Sequence, residues 1–466
     1  MRRTKIIGTI GPSSRDYKTF KSLVLAGLNV ARINLSHGDI SVHQETVDMV
    51  KQVRAELDMP IAIMIDTRGP EVRVKTFDGG CAELKNGKYF TLYNTDVVGN
   101  ADGVSITEPN CLKDIPLNTT ILANDGLLVL KAVEHLPNGL KLKVISGGTL
   151  KNNKGLTFKG YTPKLPFISE RDRRDLIWAF KNKCEYVSLS FVTKKEDILE
   201  IKKLMAECNY SCKIIAKIES AEGVKNLKEI LAECNGIMVA RGDLGVEIPL
   251  SKVPLVQTQL IDSSRLHGKI TIVATEMLES MINNPRPTRA EASDVATAVR
   301  EGASAVMLSA ETAAGKYPVK AVKTMSEICI QTEKDIDYAN TFFDLGFKSD
   351  DETDILTSSA VNASFNLNSK AIMVYTSKGK IANFVSRFLP SCNIVAITDD
   401  PITYHDLAMV WGVTPIFTKN FNENKIFDNA KDIAIKHNLA KSGDNILIVT
   451  GTTDYHSNIL KITKID

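Results

Sequence analysis

The chain has no CxxC pair and no grouping of cysteine with histidine; its 8 cysteines and 7 histidines are scattered over 466 residues. Such dispersal excludes a zinc module or a disulfide framework by spacing and leaves buried free thiols. An HExxH string is missing too, so zinc-hydrolase chemistry has nothing to start from. No apolar run approaches the roughly 20 residues that a membrane-spanning helix requires. The opening Met1-Arg2-Arg3-Thr4-Lys5 leads into a run broken by Gly8 and Gly11, which lacks a signal-peptide core, and the expected location is the cytoplasm. An excess of one charge is also absent. Lys and Arg total 58 against 55 Asp and Glu, a net of +3, without the surplus of a dedicated nucleic-acid binder.

What the sequence does contain is length for two to three domains at about 150 residues each, and a series of short Ile, Val and Ala runs between helix-like segments. The runs are TKIIGTIG from 4, LNVARINLS from 28, IAIMID from 61, YVSLSFV from 186, KIIAKIE from 213, GIMVARGD from 236, ITIVATEM from 270 and AVMLSAET from 305. Their spacing fits strands buried on both faces and alternating with helices, which predicts a closed (β/α)8 TIM barrel over residues 1–67 and 164–340. Nearly every run ends in polar residues, on the face where such barrels place their chemistry. The plainer alternative is that polar residues simply begin where strands stop.

Residues 68–163 interrupt the series with short alternating runs, KYFTLYN and LKLKVI, and the turn pairs Asp78-Gly79, Asn86-Gly87 and Asn138-Gly139. These predict an inserted all-β, β-barrel-like domain. Because it leaves near Pro70 and rejoins near Pro163 and Pro166, it is placed to close over the site as a lid; the alternative is an inert insertion. Residues 341–466 alternate helical and strand-like segments, KAIMVYT, NIVAIT, VTPIFT and DNILIVT, and predict a C-terminal open α/β domain.

Lys217 and Glu219 lie two apart at the end of a strand and so share a face. Asp243 ends the next strand, where it can join Glu219 in holding a hard cation, since Mg²⁺ is usually held by one or two carboxylates and substrate phosphate. The alternative is a structural ion network. Arg32, Asn34 and Ser36 alternate along the second strand, Asp66 and Thr67 end the third, and Arg73 lies just beyond. Arginine's planar fork suits phosphate oxygens. Asn34, Ser36, Asp66 and Thr67 together offer only oxygen donors, a set suited to a second hard cation. Gly242-Asp243-Leu244-Gly245 forms a turn with backbone N–H groups available to an anion. Thr288-Arg289-Ala290-Glu291 is a structural capping box.

Taken in order, AGLNVARINLSHG, MIDTRGPEVR, AKIESAEGV, IMVARGDLGVEIP, VATEMLESM, PRPTRAEASDVATAV and VMLSAETAAGKYP resemble the pyruvate kinase family over nearly the full chain. The resemblance implies transfer of the phosphoryl group of phosphoenolpyruvate to ADP, giving pyruvate and ATP, the last step of glycolysis. By the same resemblance Lys217 would neutralise the phosphoryl group in flight and the enolate left behind, with Arg32 and Thr275 as its catalytic companions. Glu219 and Asp243 would bind Mg²⁺ or Mn²⁺, and Asn34, Ser36, Asp66 and Thr67 would bind K⁺. Arg32 and Arg73 would take phosphates, with Asn34, His37, Arg73 and Lys154 bordering the nucleotide. Gly242, Asp243 and Thr275 would hold the substrate carboxylate, and a water chain near Thr275 and Ser309 would protonate the enolate.

The resemblance further implies a homotetramer and a regulatory loop for a phosphorylated effector at Thr376-Ser377-Lys378-Gly379-Lys380, with Gly451-Thr452-Thr453-Asp454 nearby. Glu71 stands where acidic family members need K⁺ and members with Lys do not. Three departures touch the edge of the site: Gly155-Leu156-Thr157-Phe158-Lys159-Gly160 where the family commonly has GVNLPG, Ala310 in place of Gly, and Glu276 in place of Gln. An aldolase or lyase on a similar barrel would not require the nucleotide-facing residues, and a non-catalytic relative would be expected to have lost Lys217, Glu219 or Asp243.

Overall fold

Eight short aliphatic runs form eight parallel strands that close on themselves: Lys5–Thr9, Val30–Asn34, Ala62–Asp66, Tyr186–Leu189, Lys213–Ile218, Gly236–Ala240, Ile270–Ala274 and Ala305–Leu308. The first pairs with the eighth, Lys5 against Ala305 and Gly8 against Leu308, which seals the barrel. The computed structural model describes residues 2–124, 126–419, 426–453 and 456–466, without the side chains of 451–453 and 456–458. Burial on both faces explains the unbroken apolar runs. Ile63, Ile65, Val187, Ile214 and Val239 pack outward against the helices, while Met64, Tyr186, Ile215, Met238 and Ile272 fill the interior.

That interior is continuous with the core of the C-terminal domain, which covers the N-terminal face of the barrel. Tyr186 donates its hydroxyl to the Asp406 carbonyl at 2.8 Å, Lys5 Nζ donates to the Val413 carbonyl at 2.7 Å, and Lys213 Nζ to the Lys378 carbonyl at 3.1 Å. The C-terminal sheet has the order Val413–Phe417, Asn393–Thr398, Ala371–Tyr375, Asn445–Thr453, His456–Lys464. Four of these strands match the sequence expectation. The last, an antiparallel edge strand, was not foreseen, because its exposed positions Lys461 and Ile462 break the buried apolar pattern.

Between the third and fourth barrel strands the chain builds a six-stranded sheet and a two-stranded one. Their core, from Val72 to Phe158, is made wholly of the insertion's own residues. The Asn138-Gly139 turn joins Leu128–Leu136 to Gly139–Ser146 as a hairpin, with Gly139 at φ +153° where a Cβ would fall 2.0 Å from the Leu92 carbonyl oxygen.

The capping box appears as expected at the start of helix Arg289–Arg300: Thr288 Oγ1 accepts from the Glu291 N–H, and Glu291 accepts from the Thr288 N–H. Thr288→Ala should therefore lower unfolding free energy by about 1 kcal/mol. Urea unfolding checks this, and turnover should stay at the wild-type level.

Candidate active site

Four charged side chains from three strands meet at the C-terminal mouth of the barrel. Asp66, at 0% exposure, receives Arg32 Nε at 2.6 Å on Oδ2 and faces Lys217 Nζ at 3.3 Å through Oδ1. Lys217 also stands 3.1 Å from Glu219 Oε1. Lys217 and Glu219 thus meet as their spacing of two implies, although the strand itself ends at Ile218 and Glu219 lies just past it. Burial raises the cost of charging Asp66, but Arg32 and Lys217 outweigh it and hold the carboxyl below its usual range. Burial likewise opposes the Lys217 ammonium, yet Asp66 and Glu219 together raise its affinity for the proton. Glu219 shares its single cation with Asp66. Burial, aided by the charge of Asp243, therefore pushes its carboxyl up to about 7 against the pull of Lys217.

Arg32, Lys217 and Glu219 open into a cavity of about 1140 Å³ between the barrel mouth and the inserted domain, above the roughly 300–1,000 Å³ usual for ligand sites. Arg32, Asn34, Ser36, Thr67, Lys217, Glu219 and Asp243 line the barrel side; Lys154 and Gly155 to Phe158 line the insertion side. His37 and Arg73 also reach the wall. Burial, with Arg73, Arg68 and Arg32 nearby, lowers the proton affinity of His37, so its ring is neutral near pH 7. Asn34 Oδ1 accepts from the Ser36 N–H at 3.0 Å, which curls the chain end around the amide. Thr67 Oγ1 accepts from the Ser190 N–H at 3.3 Å.

Arg73 is not poised toward open space. Its guanidinium grips Glu71 Oε2 through Nε at 2.9 Å and Nη2 at 2.6 Å. The counter-charge of Glu71 is thus an arginine two residues away, a pairing that the sequence reading did not draw. Gly155 packs on the same carboxylate: a Cβ there would lie 2.1 Å from Glu71 Oε1.

Asp243 departs from the expectation that it ends a strand. The sixth strand stops at Ala240, and Asp243 lies in the first turn of helix Arg241–Glu247. Helical geometry takes over because Gly242 and Asp243 turn the chain toward Thr275. The Gly242 N–H donates to Thr275 Oγ1 at 2.8 Å, and that hydroxyl donates to the Ala274 carbonyl at 2.6 Å. Gly242 and Thr275 therefore meet each other beside Asp243, but neither is among the residues lining the cavity. Thr275 and Glu276 both adopt positive φ, +70° and +53°, and Arg241 braces them by donating to the Ala274 and Thr275 carbonyls and pairing with Asp294 at 2.7 Å. Sequence reasoning missed that brace. Ser309, just past the eighth strand, gives its N–H to Glu311 at 2.7 Å.

In the C-terminal domain, Thr376 Oγ1 accepts from the Gly379 N–H at 2.9 Å, and Gly379 at φ +76° opens the short helix Lys380–Ser386. The Ser377 carbonyl accepts from the Thr403 hydroxyl at 2.7 Å. This loop lies far from the mouth, on the side where Lys213 meets the Lys378 carbonyl. Asp454 falls outside the described residues, as do the side chains of Thr452 and Thr453.

Among the described residues no group of three or more His, Cys, Asp or Glu forms a closed metal cage. The donor set at the mouth nonetheless fits a hard divalent cation. Glu219 is buried with an elevated proton affinity, Asp243 adds a second carboxylate electrostatically, and the cavity leaves the remaining positions open to substrate oxygens. The oxygens of Asn34, Ser36, Asp66 and Thr67 fit a monovalent ion in donor type, with the carboxylate of Asp66 already shared between Arg32 and Lys217. Asp66→Asn should destabilise the protein by about 3 kcal/mol at pH 7, because it leaves two buried cations short of a partner. Since the native carboxyl titrates below its unfolded value of 3.8, that difference should persist above pH 4 and shrink as pH falls further; paired urea titrations across pH check the sign.

Comparison with known proteins agrees with this geometry. The family described as "Pyruvate kinase, barrel domain" matches residues 1–322, and "Pyruvate kinase, alpha/beta domain" matches residues 354–463. A pyruvate kinase of Clostridium perfringens is 40% identical over 100% of both chains, and one of Geobacillus stearothermophilus is 40% identical over 97% of this chain and 78% of its own. A crystal structure of a pyruvate kinase from Cryptosporidium parvum superposes with a TM-score of 0.94 at 35% identity, covering 100% of this chain and 96% of that one. The chain belongs to the pyruvate kinase family, enzymes that move a phosphoryl group between phosphoenolpyruvate and ADP in glycolysis and generally need divalent and monovalent cations.

Proposed function

We propose that phosphoryl transfer in this chain is carried by Lys217, with Arg32 and Thr275 in support. The observation that carries the reading is the Lys217 ammonium, held 3.3 Å from Asp66 and 3.1 Å from Glu219 at the wall of a large cavity. A permanent cation at that point faces the negative charge that spreads over the phosphoryl oxygens in the transition state and then over the enolate, where electrostatic stabilisation does most of the work. Arg32, anchored by Asp66 and Thr9, offers its remaining N–H groups to substrate phosphate oxygens. Gly242, Asp243 and Thr275 receive the substrate carboxylate, and the insertion closes as a lid to exclude water. Asn34, His37, Arg73 and Lys154 border the nucleotide. The enolate takes its proton from water near Thr275 and Ser309.

Glu219 and Asp243 hold Mg²⁺, or Mn²⁺ in its place, and Asn34, Ser36, Asp66 and Thr67 hold K⁺; when bound, these ions supply positive charge to substrate phosphate. Glu71 carries the monovalent requirement. Arg73 serves nucleotide phosphates only by loosening its grip on Glu71, whose freed carboxylate would then call for the positive charge that a monovalent cation would supply. The turn Thr376, Ser377, Lys378, Gly379 and Lys380 binds a phosphorylated effector through its amides, hydroxyls and cations. The working form is a cytoplasmic homotetramer.

Coupled measurement of ATP formed from phosphoenolpyruvate and ADP tests the central claim. Lys217→Met should still fold, at a stability cost because Asp66 and Glu219 lose a buried partner, and folded protein, verified by circular dichroism, should lose at least about a thousandfold in kcat; retention of a tenth of the activity would refute Lys217 as the principal stabiliser. In a K⁺-free buffer of organic cations the wild type should lose at least about tenfold in activity and regain it with K⁺ more than with Na⁺, while Glu71→Lys keeps a larger share without K⁺. Full wild-type activity in that buffer would overturn the monovalent assignment.

A further inference from the structure

The turn after the fourth barrel strand touches both Lys217 and Glu219 and holds none of the roles assigned above. Ser190 is 2% exposed. Its hydroxyl donates to the Thr67 carbonyl at 2.7 Å, which commits its one proton and leaves its lone pairs for Lys217 Nζ, 2.6 Å away. The next N–H, that of Phe191, donates to Glu219 Oε2 at 2.6 Å. Phe191 adopts φ +58° to do so, a left-handed backbone that a bulky residue takes only when its surroundings impose it. Gly69, at φ +74°, lies against this turn: a Cβ there would stand 2.8 Å from the Ser190 carbonyl oxygen and 2.9 Å from its Cβ. The segment through which the insertion leaves the barrel thus bears directly on Ser190.

With Ser190 included, the Lys217 ammonium faces three acceptors, matching its three N–H groups: Ser190 at 2.6 Å, Glu219 at 3.1 Å and Asp66 at 3.3 Å. Two carboxylates alone define a line along which the ammonium can slide. The hydroxyl supplies the third direction. Glu219 is fixed in the same way, by Lys217 on one oxygen and the Phe191 N–H on the other.

We propose that Ser190 and Phe191 form a positioning turn for phosphoryl transfer, in which the hydroxyl sets the Lys217 ammonium and the left-handed N–H aims Glu219 at its divalent cation. The second half rests on the metal role proposed above for Glu219. Positioning of this kind acts on the chemical step rather than on nucleotide binding, because preorganised charges matter most where charge develops.

Four variants test it. Ser190→Ala should lower kcat by about ten- to a hundredfold with the KM for ADP within about twofold of wild type, and Ser190→Thr, which keeps the hydroxyl, should recover most of the loss. Phe191→Asn and Phe191→Val both remove the ring, but asparagine tolerates left-handed φ and branched valine does not. Binding of Mn²⁺ alone, followed by the paramagnetic resonance signal of the free ion, should stay within about threefold of wild type for Asn and weaken about tenfold for Val. Circular dichroism melts establish that each variant folds. Wild-type kcat in Ser190→Ala, or equal Mn²⁺ binding by the Asn and Val variants, would overturn the proposal. If Phe191→Val does not fold, a tenfold loss in Phe191→Asn overturns the backbone role and retention supports it. Failure of the metal reading looks different: wild type would then bind Mn²⁺ no better than Glu219→Gln, and the Lys217 half would still be decided by the serine variants.

Discussion

One carboxylate, Asp66, holds the mouth of this barrel together. It sits between the guanidinium of Arg32 and the ammonium of Lys217, on strands that are not adjacent to one another, and is fully removed from solvent. In so dry a setting an unpaired charge costs several kcal/mol, so each of the three groups is tolerable only in the presence of the others. Lys217 then draws in Glu219, and Ser190 draws its remaining lone pair toward the same ammonium. The four charges at the mouth are thereby held in place by one another.

The architecture was legible because burial on two faces writes a continuous apolar run, and all eight barrel strands carry one. The antiparallel strand His456–Lys464 was not, since an edge strand facing solvent has no such signature. Within the site the same division applies. Lys217 and Glu219 were readable from a spacing of two on one strand. Asp243 was misplaced onto a strand because GIMVARGD reads as one run, whereas the strand ends at Ala240 and a helix begins at Arg241. Pairings between strands left no trace in spacing: nothing in the sequence near Ser190 announces Lys217, and nothing near Arg241 announces the carbonyls of Ala274 and Thr275. The grip of Arg73 on Glu71 was open to detection as an alternating acid and base in an extended segment, but the phosphate role drew the arginine instead.

Departures from the family's usual residues gain meaning in the same way. The altered stretch from Gly155 to Gly160 begins at a glycine with no room for a side chain, because Glu71 occupies the space where its Cβ would be. Leu156 to Phe158 then pairs with Thr120–Ala123 as an ordinary strand. The composition of this edge can drift while the contact between Gly155 and the carboxylate is kept.

The insertion also has a consequence for how the chain reaches its native state. Thr67 and Ser188 hydrogen-bond across adjacent barrel strands although they are 121 positions apart. Closing an unstructured segment of that length carries an entropic cost that must be met before the contact rewards it. The insertion's core, however, draws on its own residues alone, so its packing does not depend on the barrel's. Once packed, the inserted domain spans the gap between these strands with an ordered unit, so the flexible length left to close is shorter than 121 positions suggest.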